Sequence, residues 1–340
     1  MLFRSHLFRA VRRPTQCRPM SNQAITSTDI KIFKTVSELR SWRKSQLVKN
    51  ASVGLVPTMG ALHGGHLDLV ARSMDHNDST VVSVFVNPSQ FAPHEDLSSY
   101  PRTLDADIRA LEGRFDHSRL AIFLPSVGEM YPSGIPLEVA QQSGAFVEVK
   151  GLSEQLEGSV RPHFFRGVAT IVTKLLNIVT PEKAYFGQKD IQQTVVVKRL
   201  VKDLILPSEI VVVPTTRESN GLAMSSRNVY LSDESREKSK VFYQALMSAK
   251  NLYKSKIQSE PNGRVPRKII LDAAHSILEP FTSPGAEFPI DIEYICLSDK
   301  ETLQELEAVS GERGGIISAA IRVPNAAGSK TRIIDNVLLD

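Results

Sequence analysis

Two histidines three residues apart, His63 and His66, stand in the run Pro57-Thr58-Met59-Gly60-Ala61-Leu62-His63-Gly64-Gly65-His66. An imidazole can donate a hydrogen bond, move a proton or ligate a metal. The neighbouring glycines let backbone approach a ligand closely. A helix that starts here offers free N–H groups to a phosphate, and the spacing sets both rings on one side of its first turn. The pair reads as donors to phosphate oxygens. The competing readings are a metal-binding pair and two helix-capping histidines, and the Thr-Met-Gly before them on a strand-to-helix turn favours phosphate.

Four further clusters could do chemistry. Phe85-Val86-Asn87-Pro88-Ser89-Gln90-Phe91 carries two neutral amides, Asn87 and Gln90, able to bind hydroxyl and carboxylate groups; alternatively it is an Asn-Pro turn that ends a strand. Tyr100-Pro101-Arg102-Thr103 precedes Asp105 and Asp107. A carboxylate there could hold Mg²⁺ beside phosphates, or the acids could simply favour a helix N-terminus. In Phe186-Gly187-Gln188-Lys189-Asp190-Ile191-Gln192-Gln193, Lys189 is a point charge for phosphate, and Gln193 lies one helical turn further on. Gly221-Leu222-Ala223-Met224-Ser225-Ser226-Arg227-Asn228 offers two hydroxyls and a guanidinium on a Gly-opened loop. That suits a triphosphate clamp, or else a pair of N-cap serines.

The elements that must position these groups alternate. Apolar runs at Ser52–Val56, Thr80–Val86, Leu120–Leu124, Ala184–Phe186 and Glu209–Pro214 read as strands. Helical spacing appears at Leu62–Met74, Gly167–Val179 and Asp190–Leu204. Strand–helix alternation implies a parallel sheet with helices on both faces, an α/β doubly wound fold. The clusters at 57–66, 85–91 and 186–193 then follow strands, at the carboxyl edge where such sheets gather ligands. After Thr216 the texture changes. Charged helical stretches over Asp233–Ser259, a connection at Pro261–Pro266, and β-like runs at Ile290–Leu297, Gly315–Val323 and Thr331–Leu338 suggest a smaller α+β domain. The expected division is 1–28, 29–215 and 216–340.

The chain has 340 residues, 41% of them hydrophobic, enough to bury a sizeable core. The longest apolar runs are far shorter than the roughly 20 residues of a membrane span, so an integral membrane protein is not expected. Two cysteines, Cys17 and Cys296, cannot build a disulfide framework. The net charge of +4 comes from residues 1–28, which hold five arginines and no acid; without them 36 basic residues face 37 acidic ones. A nucleic-acid partner is therefore not expected. The leader itself places Phe3, Leu7, Ala10 and Val11 opposite Arg9, Arg12 and Arg13 before Pro14. That is the composition of a mitochondrial transit peptide, while a start at Met20 would leave a cytosolic product.

The motifs PTMGALHGGH, FVNPSQF, YPRT, RGVATIV, FGQKDIQQ and GLAMSSRN occur in this order. Together they resemble the pantothenate synthetases, the pantoate–β-alanine ligases, over residues 30–340. That family is related to class I aminoacyl-tRNA synthetases, and its HGGH and AMSSR elements look like their HIGH and KMSKS motifs. The resemblance implies a Rossmann-like fold, a homodimer, and two adenylyl steps that join pantoate to β-alanine with ATP and Mg²⁺. It implies an ATP site of Met59, Gly60, Ala61, Leu62, His63, Gly64, Gly65, His66, Gly187, Gln188, Lys189, Asp190, Thr216, Met224, Ser225, Ser226 and Arg227. His66 would be the catalytic histidine, helped by His63, Lys189, Ser225, Ser226 and Arg227. Gln90 and Gln193 would bind pantoate, with Gln90 also beside β-alanine. Asp107 would be Mg²⁺-associated, and Arg161 would lie near the site.

Two positions depart from the family pattern. Gly64 stands where an acid is common. In Arg161-Pro162-His163-Phe164-Phe165-Arg166-Gly167-Val168 the histidine is displaced by one position, so Phe164 takes its place and His163 is given no role. The stretch Asn325–Ser329 is expected as a surface loop. A tRNA synthetase or cytidylyltransferase would lack FVNPSQF and FGQKDIQQ. A non-catalytic scaffold would be expected to have lost His66, Lys189 or Arg227.

Overall fold

The computed structural model describes residues 28–340 except 94, 96, 261, 262 and 284. The arginine-rich leader, apart from Thr28, lies outside the described residues. The strands are β1 (Lys31–Phe33), β2 (Val53–Thr58), β3 (Ser79–Val84), β4 (Leu120–Phe123), β5 (Lys183–Gly187), β6 (Glu209–Val213), β7 (Arg264–Pro266), β8 (Asp291–Ser298), β9 (Ala308–Ser310), β10 (Gly315–Pro324) and β11 (Lys330–Leu339). The helices are α1 (Val36–Val48), α2 (Gly64–His76), α3 (Leu104–Glu112), α4 (Val127–Met130), α5 (Glu157–Val160), α6 (Phe164–Val179), α7 (Ile191–Asp203), α8 (Asp233–Lys238), α9 (Lys240–Ile257) and α10 (Arg267–Leu278).

Strands β1 to β6 form one sheet in the order β1-β4-β3-β2-β5-β6, every pair parallel. Alternate residues of each strand enter different cores. Val53, Leu55, Val81, Phe123 and Phe186 face α1, α6 and α7 through Leu39, Leu175 and Val196. Val56, Val82, Ile122 and Tyr185 face α2 and α3 through Val70, Met74, Ile108 and Leu111. A sheet buried on both faces needs apolar residues at every position, which is why these strands read as unbroken apolar runs. The fold is the doubly wound α/β sheet that the alternation implied, Rossmann-like as the resemblance implied.

A smaller antiparallel sheet, ordered β11-β10-β8, packs on α9 and α10. Its separate core includes Leu246, Ala249, Ile270, Leu297, Ile317 and Ile321. The segment read as a connection ends in a strand, since β7 pairs antiparallel with β9. The exposed turn Ala326–Ser329 joins β10 to β11, as expected of a surface loop.

Helix α2 begins at Gly64, two residues later than its apolar spacing suggests. Gly60 and Ala61 adopt left-handed backbone, with φ of 82° and 50°, and a helix cannot propagate through them. His63 is then the N-cap, in extended conformation. Strand β2 pairs with β3 on one side and β5 on the other. The chain runs from β2 towards one edge of the sheet and from β5 towards the other. The crevice beyond the carboxyl ends of these two strands is the switch point of the fold.

Candidate active site

A cavity of about 760 Å³ lies at this switch point, a size that suits a small-molecule site. The loops that follow β2, β3, β5 and β6 line it, together with the 222–230 segment and the cavity-facing side of β10 and β11.

The turn after β2 is held from below. Thr58 Oγ1 donates to the Ser83 carbonyl at 2.7 Å and accepts the Gly60 N–H at 3.1 Å. Asp107 completes the turn: Oδ2 accepts the Ala61 N–H at 3.0 Å, and Oδ1 accepts the Leu62 N–H at 2.8 Å and the Thr103 hydroxyl at 3.1 Å. Asp107 is 3% exposed and is not among the cavity-lining residues. Burial pushes its carboxyl up, and the Leu62, Thr103 and Ala61 donors pull it back. The carboxylate expected beside a metal is thus turned into the loop.

The histidines cap α2 and line the cavity at the same time. His63 Nδ1 accepts the Gly65 N–H at 3.2 Å, and His66 Nδ1 accepts the His63 N–H at 3.3 Å. Their ring centroids are 4.0 Å apart. An Nδ1 that accepts leaves a neutral ring protonated on Nε2. Burial, then the Lys189 charge, lowers His63 to about 4. Burial, then His63, then Lys189, lowers His66 to about 3. Both are neutral near pH 7, with Nε2–H as the donor each can offer. Helix capping and donation are therefore compatible readings of the pair. Among the described residues no three His, Cys, Asp or Glu side chains are grouped to hold a metal.

The amides Gln90 and Gln193 line the same cavity. Lys189 occupies a 3-10 turn before α7, its ammonium 3.7 Å from Asp190. Ser225 accepts the Arg227 N–H at 3.3 Å and so caps the short 3-10 helix Ser226–Tyr230. Tyr100 of the YPRT run meets Ser226, hydroxyl to hydroxyl, at 3.1 Å. The Arg227 guanidinium lies 5.9 Å from the Tyr100 ring centroid. Met224 N–H donates to the Thr216 carbonyl at 3.0 Å, and the Thr216 hydroxyl donates to Asp68 at 2.7 Å.

The pantoate-beta-alanine ligase family profile matches residues 31–338. The chain belongs to the pantoate–β-alanine ligase family. It is 46% identical over 319 residues to the pantoate–β-alanine ligase of Saccharomyces cerevisiae, covering 91% of this chain and all of that one. It is 42% identical over 315 residues to the pantothenate synthetase of Roseiflexus castenholzii, covering 92% of this chain and all of that one. The crystal structure of the Thermus thermophilus enzyme superposes with a TM-score of 0.74 at 42% identity, over 91% of this chain and 99% of that one. The Francisella tularensis pantoate–β-alanine ligase, complexed with beta-gamma ATP and β-alanine, gives 0.65 at 31% identity, over 91% and 97%. The family is one of carbon–nitrogen ligases.

For a ligase of this family the two departures have local reasons. A Cβ on Gly64 would come within 2.8 Å of Met224 Sδ, so the missing side chain lets the 222–230 segment sit on the start of α2. Phe164 lines the cavity, and the Arg161 guanidinium lies 3.9 Å over its ring. Arg161 is also held by Glu95 through two bonds of 2.7 Å. His163 is exposed, at φ 68°, and takes no part in the cavity.

Met59, His63, Gly65, His66, Gly187, Lys189, Asp190, Thr216 and Met224–Arg227 all line the cavity. Gly60, Ala61, Leu62 and Gly64 shape the turn without lining it, and Gln188 turns away to Asn336 at 3.2 Å. Several lining residues carried no sequence signal. Asn336, 1% exposed, donates to the Gln188 and Lys189 carbonyls at 2.8 and 3.0 Å and fixes the lysine turn. Thr215 Oγ1 is buried without a partner among the described residues. Glu157 accepts the Tyr294 hydroxyl at 2.7 Å and both Arg332 terminal nitrogens at 2.6 and 2.5 Å, which ties α5 to β8 and β11.

Proposed function

We propose that this chain condenses pantoate with β-alanine to give pantothenate, through a pantoyl adenylate. One observation carries the reading: in a chain of this family, two neutral amides share one cavity with a paired-histidine helix start, a lysine turn and a Ser-Ser-Arg segment. The relatives' names and the bound molecules of the Francisella tularensis enzyme support the substrates.

A pantoate carboxylate oxygen attacks the α-phosphorus of ATP; the bond to the β-phosphate oxygen breaks and pyrophosphate leaves. The β-alanine amine then attacks the acyl carbon. AMP departs with the former carboxylate oxygen, and the amine loses a proton. His66 and His63 donate Nε2–H to the α-phosphate oxygens, Lys189 and Arg227 stabilise the departing pyrophosphate, and Ser225 and Ser226 hold its oxygens. Met59 to His66, Gly187 to Asp190, Thr216 and Met224 frame the nucleotide. Gln90 and Gln193 hold pantoate, Gln90 also facing β-alanine. Such a step depends on positioning and preorganised donors rather than on a protein nucleophile.

Asp107 does not fit a resident metal ligand, because both of its oxygens are taken by the loop amides and it does not line the cavity. Mg²⁺ is therefore assigned to the ATP substrate. We propose a lobe boundary at 215/216, supported by the separate cores. We also propose a homodimer, in keeping with the family resemblance and with edge strand β6, whose Ile210–Val213 are half-buried beside Ile205, 90% exposed. The arginine-rich leader supports a mitochondrial address, with a cytosolic product from Met20 as the alternative. Among the described residues no helix is long and apolar enough to cross a membrane. The test is product analysis: ATP, pantoate and β-alanine should yield equal amounts of pantothenate and AMP. ADP formation, or turnover without pantoate, would overturn the proposal.

A further inference from the structure

Gln90 can offer the cavity either edge of its amide, an N–H donor or a carbonyl acceptor. The choice starts at a backbone carbonyl. The Gly167 carbonyl can only accept, and the edge of Asn87 that faces it at 3.2 Å must be the amide nitrogen. The opposite edge, Asn87 Oδ1, then accepts from the hydroxyl pair of Tyr131 at 2.7 Å and Ser89 at 3.1 Å; the two hydroxyls lie 2.8 Å apart, so one hydrogen joins them and the other goes to Oδ1, best placed from the nearer Tyr131. The second hydrogen of Asn87 Nδ2 goes to Gln90 Oε1 at 3.1 Å. With its oxygen engaged, Gln90 has Nε2 left for the cavity, where it lies 3.2 Å from Met59 Sδ, a weak acceptor.

Tyr131 does not line the cavity; it is 4% exposed behind it. The Lys174 ammonium sits 3.8 Å over its ring and donates to the Met130 carbonyl at 2.6 Å. Burial pushes the Tyr131 phenol up, so the hydroxyl keeps its proton. The contact between α6 and the Pro88–Gln90 turn is as close as backbone allows: a Cβ on Gly167 would stand 2.3 Å from the Ser89 carbonyl oxygen.

We infer that Tyr131 is a positioning residue which, through Asn87, holds Gln90 with its amide N–H towards the cavity. The site thereby selects an acceptor, the carboxylate or hydroxyl oxygen of a hydroxy acid, over an ammonium group. This rests on the reading of Gln90 as a pantoate-binding residue.

The test is steady-state kinetics of the full chain carrying Tyr131→Phe, alone and with Gln90→Ala. Losing one hydrogen bond to the Asn87 acceptor should raise KM for pantoate roughly 3- to 10-fold. KM for ATP should stay near the parent value, the fold should be retained with at most a modest fall in thermal midpoint from the lost buried hydrogen bond, and Tyr131→Phe should add nothing to the pantoate KM in the Gln90→Ala background. Ser89→Ala, which removes a hydroxyl from the same oxygen, serves if Tyr131→Phe does not fold. An unchanged pantoate KM, an equal rise for ATP, or additive effects in the double variant would overturn the inference. If Gln90→Ala alone left the pantoate KM unchanged, the reading of Gln90 itself would fall.

Discussion

Asp107 is the residue on which the loop after β2 hangs, and its replacement gives the sharpest local prediction. Its two oxygens take the Ala61 and Leu62 amides and the Thr103 hydroxyl. Asp107→Ala removes every one of these acceptors. A buried donor left unsatisfied costs about 1–3 kcal/mol. Ala61 and Leu62 are only partly buried, so water can reach them and the lower end applies. Two amides then give about 2–3 kcal/mol. Without its acceptor, Ala61 has no reason to stay at φ 50°, a conformation disfavoured by about 1–2 kcal/mol for a residue with a Cβ. The turn should relax and carry the His63–His66 pair with it. Asp107→Asn is not a mild change, because its NH₂ must face one of the two amides. Chemical denaturation should show the loss in both variants, and KM for ATP should rise at saturating Mg²⁺. If Asp107→Ala unfolded at the parent denaturant midpoint and lost only Mg²⁺ affinity, Asp107 would be a metal ligand and the bracing argument would be wrong.

Arg332→Met strands Glu157, which is 7% exposed, and should destabilise the protein by about 3–5 kcal/mol; Glu157→Gln with Arg332→Met together should recover part of that in urea melts. Gly167→Ala drives a Cβ into the Ser89 backbone and should lower stability by about 1–3 kcal/mol while raising KM for pantoate more than KM for ATP. The histidines set a pH window. Their folded pKa values of about 4 and about 3 lie below the ordinary value of 6.5. The unfolded chain therefore binds more protons between those limits, and stability should fall as pH drops from about 6.5 towards 4. His63→Gln should flatten that slope in pH-dependent melts, and kcat/KM for ATP should show no histidine titration between pH 5.5 and 8.

Much of the nucleotide-binding side was legible because its signals are local. Strands β2 to β6 are short, mostly apolar runs bounded by turns, and the PTMGALHGGH, FVNPSQF and FGQKDIQQ motifs begin at or beside the ends of β2, β3 and β5. Strand β1 escaped notice because three residues, one a lysine, carry no periodicity. Strands β7 and β9 escaped for the same reason. Asp107 reads from sequence as a helix-start acid, since nothing local reveals that Gly60 and Ala61 turn left-handed and leave the Ala61 and Leu62 amides to an acceptor 45 residues or more away. The Glu157–Arg332 pair spans 175 residues, and an arginine on an alternating strand looks solvated until the opposite lobe is placed against it. Phe164 stands where the family pattern has a histidine; stacked under Arg161, it forms a wall of the cavity.

An adenylate that forms before the amine is needed leaves its mark in isotope exchange. Labelled pyrophosphate incubated with the chain, ATP, Mg²⁺ and pantoate, without β-alanine, should enter ATP, and His66→Ala should slow that exchange by about 10²–10³. Exchange that required β-alanine, or ran equally well without pantoate, would contradict the account.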